Sequence, residues 1–421
     1  MFFMDAVPPQ ALWEIPLVAP LRASAASANP AFLARGDIKG MDVSPPIDNW
    51  ESPAFGMTPA RVAAMKDAGY DTHRIWISLT EFLDPPVSMA ATLDKWVGYA
   101  DKSVKAGFRV FIAWDSTGDE RTAVVNDPAA KARFVTALHA LCNRLSTVYS
   151  SDQVALEIMN EPPDEHYVPG YYREASPAFF KACRAEAPQM TIIFQPENGW
   201  SNELKKFDLK DFDENTMFSF HPYGPGEFTH QSIGTQPHLF SLPMPITRYS
   251  GGQKQMVADV TARINADNSL SADKKVTEIK RYSDFINYFL WYRDGSQWED
   301  WSTLQDWVNK TGINPKRLVA GEFGVVSEFN WTGAPGLPDV YSRANYLRKI
   351  KNQVEDNRYG GWVVHQAMGD FNMFEQTSVR DHGEKLIPEL TEALFGNGPL
   401  PEGPPVTPPD RLDNGRTKPA Q

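Results

Sequence analysis

From residue 36 to residue 396 the chain alternates short apolar runs with longer stretches of helical period. The apolar runs are 37–43 (DIKGMDV), 71–78 (DTHRIWIS), 108–114 (FRVFIAW), 153–160 (QVALEIMN), 191–195 (TIIFQ), 216–221 (TMFSFH), 316–322 (KRLVAGE) and 360–366 (GGWVVHQ). Each is rich in Val, Ile, Phe or Trp, as strands buried on both faces should be. Helical stretches follow them at about 59–68, 90–106, 128–148, 171–187, 201–206, 277–309, 340–355 and 384–395. Thr58 before Pro59 reads as an N-cap with proline at the first helical position, and Gly69 and Gly107 stand where helices one and two should stop.

Strict alternation of strand and helix predicts an α/β protein, a parallel (β/α)8 TIM barrel. An open doubly wound sheet would place a glycine-rich phosphate loop after the first strand, and GMDVSPP is not one. The expected organisation is a single domain, residues 36–396, with a long loop insertion at 222–276 after strand six. That insertion leaves the C-terminal end of a strand, the face where such barrels keep their sites, so it is expected to shape the cleft. Residues 1–35 are expected to be an irregular arm or the remnant of a signal peptide. The Pro-rich tail 397–421 is expected to be without structure.

Composition narrows the function classes. A formal net charge of −12 disfavours a phosphate backbone, so nucleic acid is not an expected partner. No apolar run reaches the ~20 residues of a membrane span. Twelve tryptophans suit a protein that stacks rings on sugars, and equally suit a large buried core. Cys142 and Cys183 fall in helices that would be neighbours in a barrel. A bridge between them is open, and two buried free thiols are the favoured reading. The N-terminus has an apolar run from Ile15 to Leu21 and small residues from Ala23 to Ala28, but Asp5 and Glu14 interrupt it and no basic segment precedes it. No exposed apolar repeat points to self-association, and a monomer is expected.

Cleavage of a glycosidic bond needs two carboxyl groups facing one bond, and a barrel supplies them from the ends of different strands. VALEIM runs into Asn160-Glu161-Pro162-Pro163, and RLVA runs into Gly321-Glu322-Phe323-Gly324. A glutamate at one strand end also serves as a helix N-terminal charge. Two such glutamates, on strands four and seven, form a pattern. Glu157 lies within the same strand as Glu161 and on its face, and reads as a buried, paired structural carboxylate. Glu197 and Glu328 are reserve candidates, and Trp50, Trp114, Trp200 and Trp331 are candidate sugar platforms.

LEIMNEPP, FSFHPY and VAGEFG resemble the signature segments of glycoside hydrolase family 5, the cellulase-type retaining glycosidases. The resemblance runs from about residue 37 to 395. It implies that Glu161 is the general acid/base and Glu322 the nucleophile. It further implies that Arg74 supports the nucleophile, that Asn160, His221 and Tyr223 contact the sugar or the carboxylates, and that Trp362 is the platform at the cleavage point. Strand three departs from the family, which commonly places a histidine there; Trp114 and Asp115 stand near that place instead. The activity implied is hydrolysis of a β-linked polysaccharide or oligosaccharide, endo-β-1,4-glucanase first, with β-mannanase, xylanase or β-glucosidase as alternatives. No cofactor is implied, and a secreted or periplasmic location is expected from the habit of such enzymes.

Two other classes remain. A metal-dependent hydrolase would use His221, His230 and His238, but no HxH or HExxH pairing is present. A non-catalytic glycan-binding barrel would have no need of both carboxylates.

Overall fold

A computed structural model describes residues 29–43, 56–163, 172–233, 238–239, 241–291, 301–327, 338–378 and 381–407. Its centre is a closed barrel of eight parallel strands in sequential order. These are β1 (Ile38–Asp42), β2 (Thr72–Ser78), β3 (Arg109–Asp115), β4 (Val154–Glu157), β5 (Thr191–Phe194), β6 (Thr216–Phe220), β7 (Leu318–Phe323) and β8 (Gly361–Val364). Closure is made by β1 against β8, with Ile38 opposite Gly361 and Met41 opposite Val364. The helices are α1 (Pro59–Ala68), α2 (Leu79–Leu83), α3 (Met89–Lys105), α4 (Gly118–Asn126), α5 (Pro128–Val148), α6 (Tyr172–Glu186), α7 (Gly226–Thr229), α8 (Gly252–Ala266), α9 (Ala272–Trp291), α10 (Trp301–Thr311), α11 (Val340–Asp356) and α12 (Pro388–Phe395).

The phase of each strand decides what reaches the mouth. Ile38, Phe111, Ala155, Ile193, Met217, Val319 and Val363 pack together inside the lower barrel. Side chains alternate along a strand, so the next inward position up is two residues on. Those positions are Glu157, Gln195, Ser219, Gly321 and His365, and on β1 the inward row reaches Asp42. The barrel is apolar at its base and polar at its C-terminal rim. The outward positions, among them Ile112, Trp114, Leu156, Ile192, Phe218, Ala320, Trp362 and Val364, join the larger cluster shared with the helices.

Several expectations change. Residues 31–35, assigned to an irregular arm, form a 3-10 turn whose Phe32 and Leu33 close the base of the barrel. The insertion after β6 is not bare loop, since it carries α7 and α8. Residues 374–386 form an antiparallel hairpin of β9 (Phe374–Ser378) and β10 (Asp381–Leu386), where a helix was expected to start at 384. Within the tail, Val406 pairs with Tyr249, and Arg248 donates to the Pro404 carbonyl. Residues 1–28 and 408–421 lie outside the described residues. Cys142 and Cys183 are not free thiols: they form a disulfide between α5 and α6, with Cα atoms 5.4 Å apart.

Candidate active site

Arg74, on β2, is the hub of the barrel mouth. It is fully buried, and its two terminal nitrogens reach four acceptors. Nη1 donates to Glu322 Oε2 at 2.7 Å and Asp42 Oδ1 at 3.1 Å. Nη2 donates to Glu157 Oε2 and to Asn160 Oδ1, both at 2.7 Å. Burial opposes the charge on Arg74, but Asp42, Glu157 and Glu322 outweigh it and hold the guanidinium more firmly protonated than usual. Glu157 moves the other way, because complete burial raises its pKa against the pull of Arg74 and His221.

Glu322 is locked. Its Oε2 takes Arg74, and its Oε1 accepts from the Tyr223 hydroxyl at 2.8 Å. Burial would raise its pKa; the rings of His221 and His365, Arg74 and the Tyr223 hydroxyl together hold it well below the usual carboxylate range. The flanking glycines are required by close approach. A Cβ at Gly321 would lie 2.0 Å from Ser219 Oγ, and one at Gly324 would lie 2.3 Å from the His365 carbonyl. The pairing of β7 with β8 is irregular between Ala320 and Phe323. That irregularity breaks strict alternation where Glu322, next to inward Gly321, also turns to the mouth.

Glu161 is different. Its side chain is 37% exposed, against 7% for Glu322. Its φ of +41° lies in the left-handed region that disfavours a side-chain-bearing residue. The loop around it is held from three sides. Arg121 Nη1 donates to the carbonyls of Asn160 and Glu161 at 2.8 and 3.0 Å. The Glu161 N–H donates to Gln195 Oε1, and Asn198 N–H donates to the Pro162 carbonyl. His221 Nδ1 sits 3.0 Å from Glu161 Oε1. One oxygen of Glu161, one of Glu322 and a nitrogen of His221 all lie within 4.8 Å of one another.

Asn160 is oriented by its partners. Because Oδ1 accepts from Arg74, Nδ2 faces Asp115 Oδ1 at 3.2 Å and keeps one hydrogen for a ligand. Asp115 and Asn160 thus join Arg74, Glu161, His221, Tyr223 and Glu322 at the mouth. The tryptophans divide. Trp362 is 2% exposed and packs edge-on to Tyr70, Phe323 and Phe395 on the outside of the barrel. Trp114 is fully buried between Phe82 and Phe134. Neither ring faces the cleft, because both occupy outward positions of their strands. Trp200 is half exposed beyond β5; Trp50, Glu328 and Trp331 lie outside the described residues. Glu197 is buried, with neither carboxylate oxygen hydrogen-bonded and Arg173 at 3.7 Å.

Five residues at the mouth were not singled out from the sequence: Asp42, Trp76, Arg121, Gln195 and His365. Asp42, Gln195 and His365 end apolar strands, the same signal that marks Glu161 and Glu322. His365 Nδ1 contacts Asp42 Oδ2 at 2.9 Å, and its ring stacks on Trp76 with centroids 5.4 Å apart. The oxygens and nitrogens of Asp42, Glu322 and His365 lie close enough to surround a cation, as do those of Glu161, His221 and Glu322. In both groups Glu322 is already engaged on one oxygen by a guanidinium and on the other by a hydroxyl.

The model for the cellulase family, glycosyl hydrolase family 5, matches residues 26–366. Among curated proteins, cellodextrinase A of Ruminococcus flavefaciens is 23% identical over 122 residues, 29% of this chain; the chain spans about a third, 35%, of that relative's length. Among solved structures, Thermotoga maritima Cel5A with cellobiose has a TM-score of 0.57 at 20% identity, covering 88% of this chain and all (100%) of that one. The cellulose synthase subunit Z of Clostridioides difficile has a TM-score of 0.56 at 18% identity, covering 85% of this chain and 99% of that one. These two structural likenesses establish the fold.

Proposed function

The chain belongs to glycosyl hydrolase family 5, the cellulase family, and from that premise we propose that it is a retaining endo-β-1,4-glucanase working by double displacement. The observation that carries this reading is the approach of the Glu161 and Glu322 oxygens to within 4.8 Å. Retaining enzymes place their carboxyls about 5–5.5 Å apart, whereas inverting ones leave about 6.5–9.5 Å for a water.

In the first step Glu322, ionised by its surroundings, attacks the anomeric carbon. The bond to the leaving oxygen breaks, and Glu161 gives that oxygen its proton. In the second step a water adds to the same carbon and the ester to Glu322 breaks. The water's proton passes to Glu161, which restores both groups. Asn160 Nδ2 offers its remaining hydrogen to the sugar 2-hydroxyl, a contact that tightens as the ring acquires oxocarbenium character. The family's range leaves β-mannan, xylan and short β-glucosides as alternative substrates, and one Cel5A structure contains mannotriose. The disulfide supports action in an oxidising compartment, secreted or periplasmic.

The test is product analysis on a panel of β-glucan, mannan and xylan, following the anomeric configuration of the first product. Retention is expected, with Glu322→Gln losing turnover by about 10⁴-fold or more while still binding glycan. An inverted first product would remove the nucleophile role from Glu322. Binding without turnover in the unmodified protein would make it a sugar-binding barrel.

A further inference from the structure

Gln195 follows β5, is fully buried, and touches both the acid/base loop and His221. Only one orientation of its amide satisfies its neighbours. The backbone N–H of Glu161 can only donate, so the atom facing it is Oε1. Nε2 then points inward, 3.3 Å from Glu157 Oε1, 3.4 Å from Ser219 Oγ and against His221 Nε2. Turning the amide over would set its hydrogens against the Glu161 N–H and its oxygen against the Glu157 carboxylate. An amide NH₂ has hydrogens and no lone pair to offer, so His221 Nε2 must be the acceptor and carry no proton. The ring's proton then lies on Nδ1, 3.0 Å from Glu161 Oε1.

We propose that Gln195 is a positioning residue that holds His221 as the neutral Nδ1–H tautomer, donating to Glu161 Oε1. This deepens the double-displacement reading and rests on it. An imidazolium in this place would favour the ionised form of Glu161 and draw off the proton needed by the leaving oxygen. A ring with bare Nδ1 would accept that proton itself. The Nδ1–H tautomer does neither: it occupies Oε1, so the acid's own proton resides on Oε2.

The groups facing His221 are Glu157 on β4, Glu161 beyond it, Glu322 on β7 with Oε2 4.0 Å from Nε2, Arg74 on β2, and Tyr223 after β6 with ring centroids 6.4 Å apart. Burial opposes a second proton on His221, and the carboxylates of Glu322 and Glu161 favour it strongly enough to draw its pKa upward. Gln195 decides the outcome, because a proton on Nε2 would meet another donor; with His221 neutral, the ionised state of Glu322 rests on His365, Arg74 and the Tyr223 hydroxyl.

The experiment is long-range proton–nitrogen NMR of the full chain labelled with ¹⁵N-histidine, with His221 assigned by the signal lost in His221→Asn. At pH 7 the expected signature is a protonated Nδ1 and a bare Nε2. An imidazolium, or a proton on Nε2 alone, overturns the proposal, and once the signal is assigned this is read on the unmodified protein. In Gln195→Glu a carboxylate replaces the NH₂. His221 should then become doubly protonated, and the alkaline limb of kcat/KM should move down by about one pH unit. A variant that loses kcat with an unmoved profile and an unchanged tautomer would show that Gln195 only fills space. The spectrum requires no turnover, so a protein that cleaves no glycan would sink the functional reading and leave this result standing.

Discussion

Asp42, Glu157 and Glu322 share one fully buried guanidinium, and that imbalance makes Arg74 the residue on which the mouth depends. Three carboxylates without a counter-charge cannot remain buried and ionised. Arg74→Met is therefore expected to cost about 3–5 kcal/mol of stability at pH 7, the usual penalty for removing one partner of a buried pair. Denaturant unfolding measures it, and a loss under about 1 kcal/mol would contradict the hub assignment. The same variant should raise the Glu322 carboxyl, so the acid limb of kcat/KM should move to higher pH. In the unmodified protein the folded pKa of Glu322 is depressed from 4.5 to about 2. Its contribution to stability is then complete above the ordinary value and is lost as the pH falls through the folded one.

At the scale of elements, the site was legible where an ionisable side chain closes an apolar run, and on strands four and seven two such ends coincide. Glu161 and Glu322 were found that way. Asp42 and His365 obeyed the same rule and were passed over. What the sequence hid was phase. Trp362 and Trp114 sit on strands that are apolar on both faces, and only the barrel shows that Val363 and Phe111 face inward instead. α4 was missed although Thr117 and Glu120 form a reciprocal cap, because a short helix with little apolar stripe shows no period. The disulfide was hidden for a related reason: it depends on which faces of α5 and α6 meet. Its 41-residue separation makes it consequential, since closing a loop of that size stabilises by about 4 kcal/mol in the chain-entropy account. Cys142→Ser with Cys183→Ser should lower the urea midpoint accordingly and leave kcat within about twofold, because neither sulfur touches the mouth. Equal midpoints with and without the bridge would make it incidental.

For the whole molecule the decisive quantity is charge. The chain carries a formal net charge of −12, and the mouth repeats that sign. Among the described residues, Asp42, Asp115, Glu157 and Glu322 converge there, with Arg74 and Arg121 as the arginines between them. Such a field repels an acidic glycan at long range and again at the point of cleavage, whereas a neutral backbone experiences neither. Salt separates the two cases, because the Debye length shrinks from about 30 Å at 0.01 M to about 3 Å at 1 M. On a neutral β-glucan oligosaccharide, kcat/KM should change by less than about twofold over that range. On a uronic-acid backbone any turnover should be weak at low salt and climb as the repulsion is screened. Initial rates on both substrates across the salt series decide between them: a fast, salt-independent reaction on the acidic glycan would assign this barrel a charged substrate, held by cations that the described mouth does not provide.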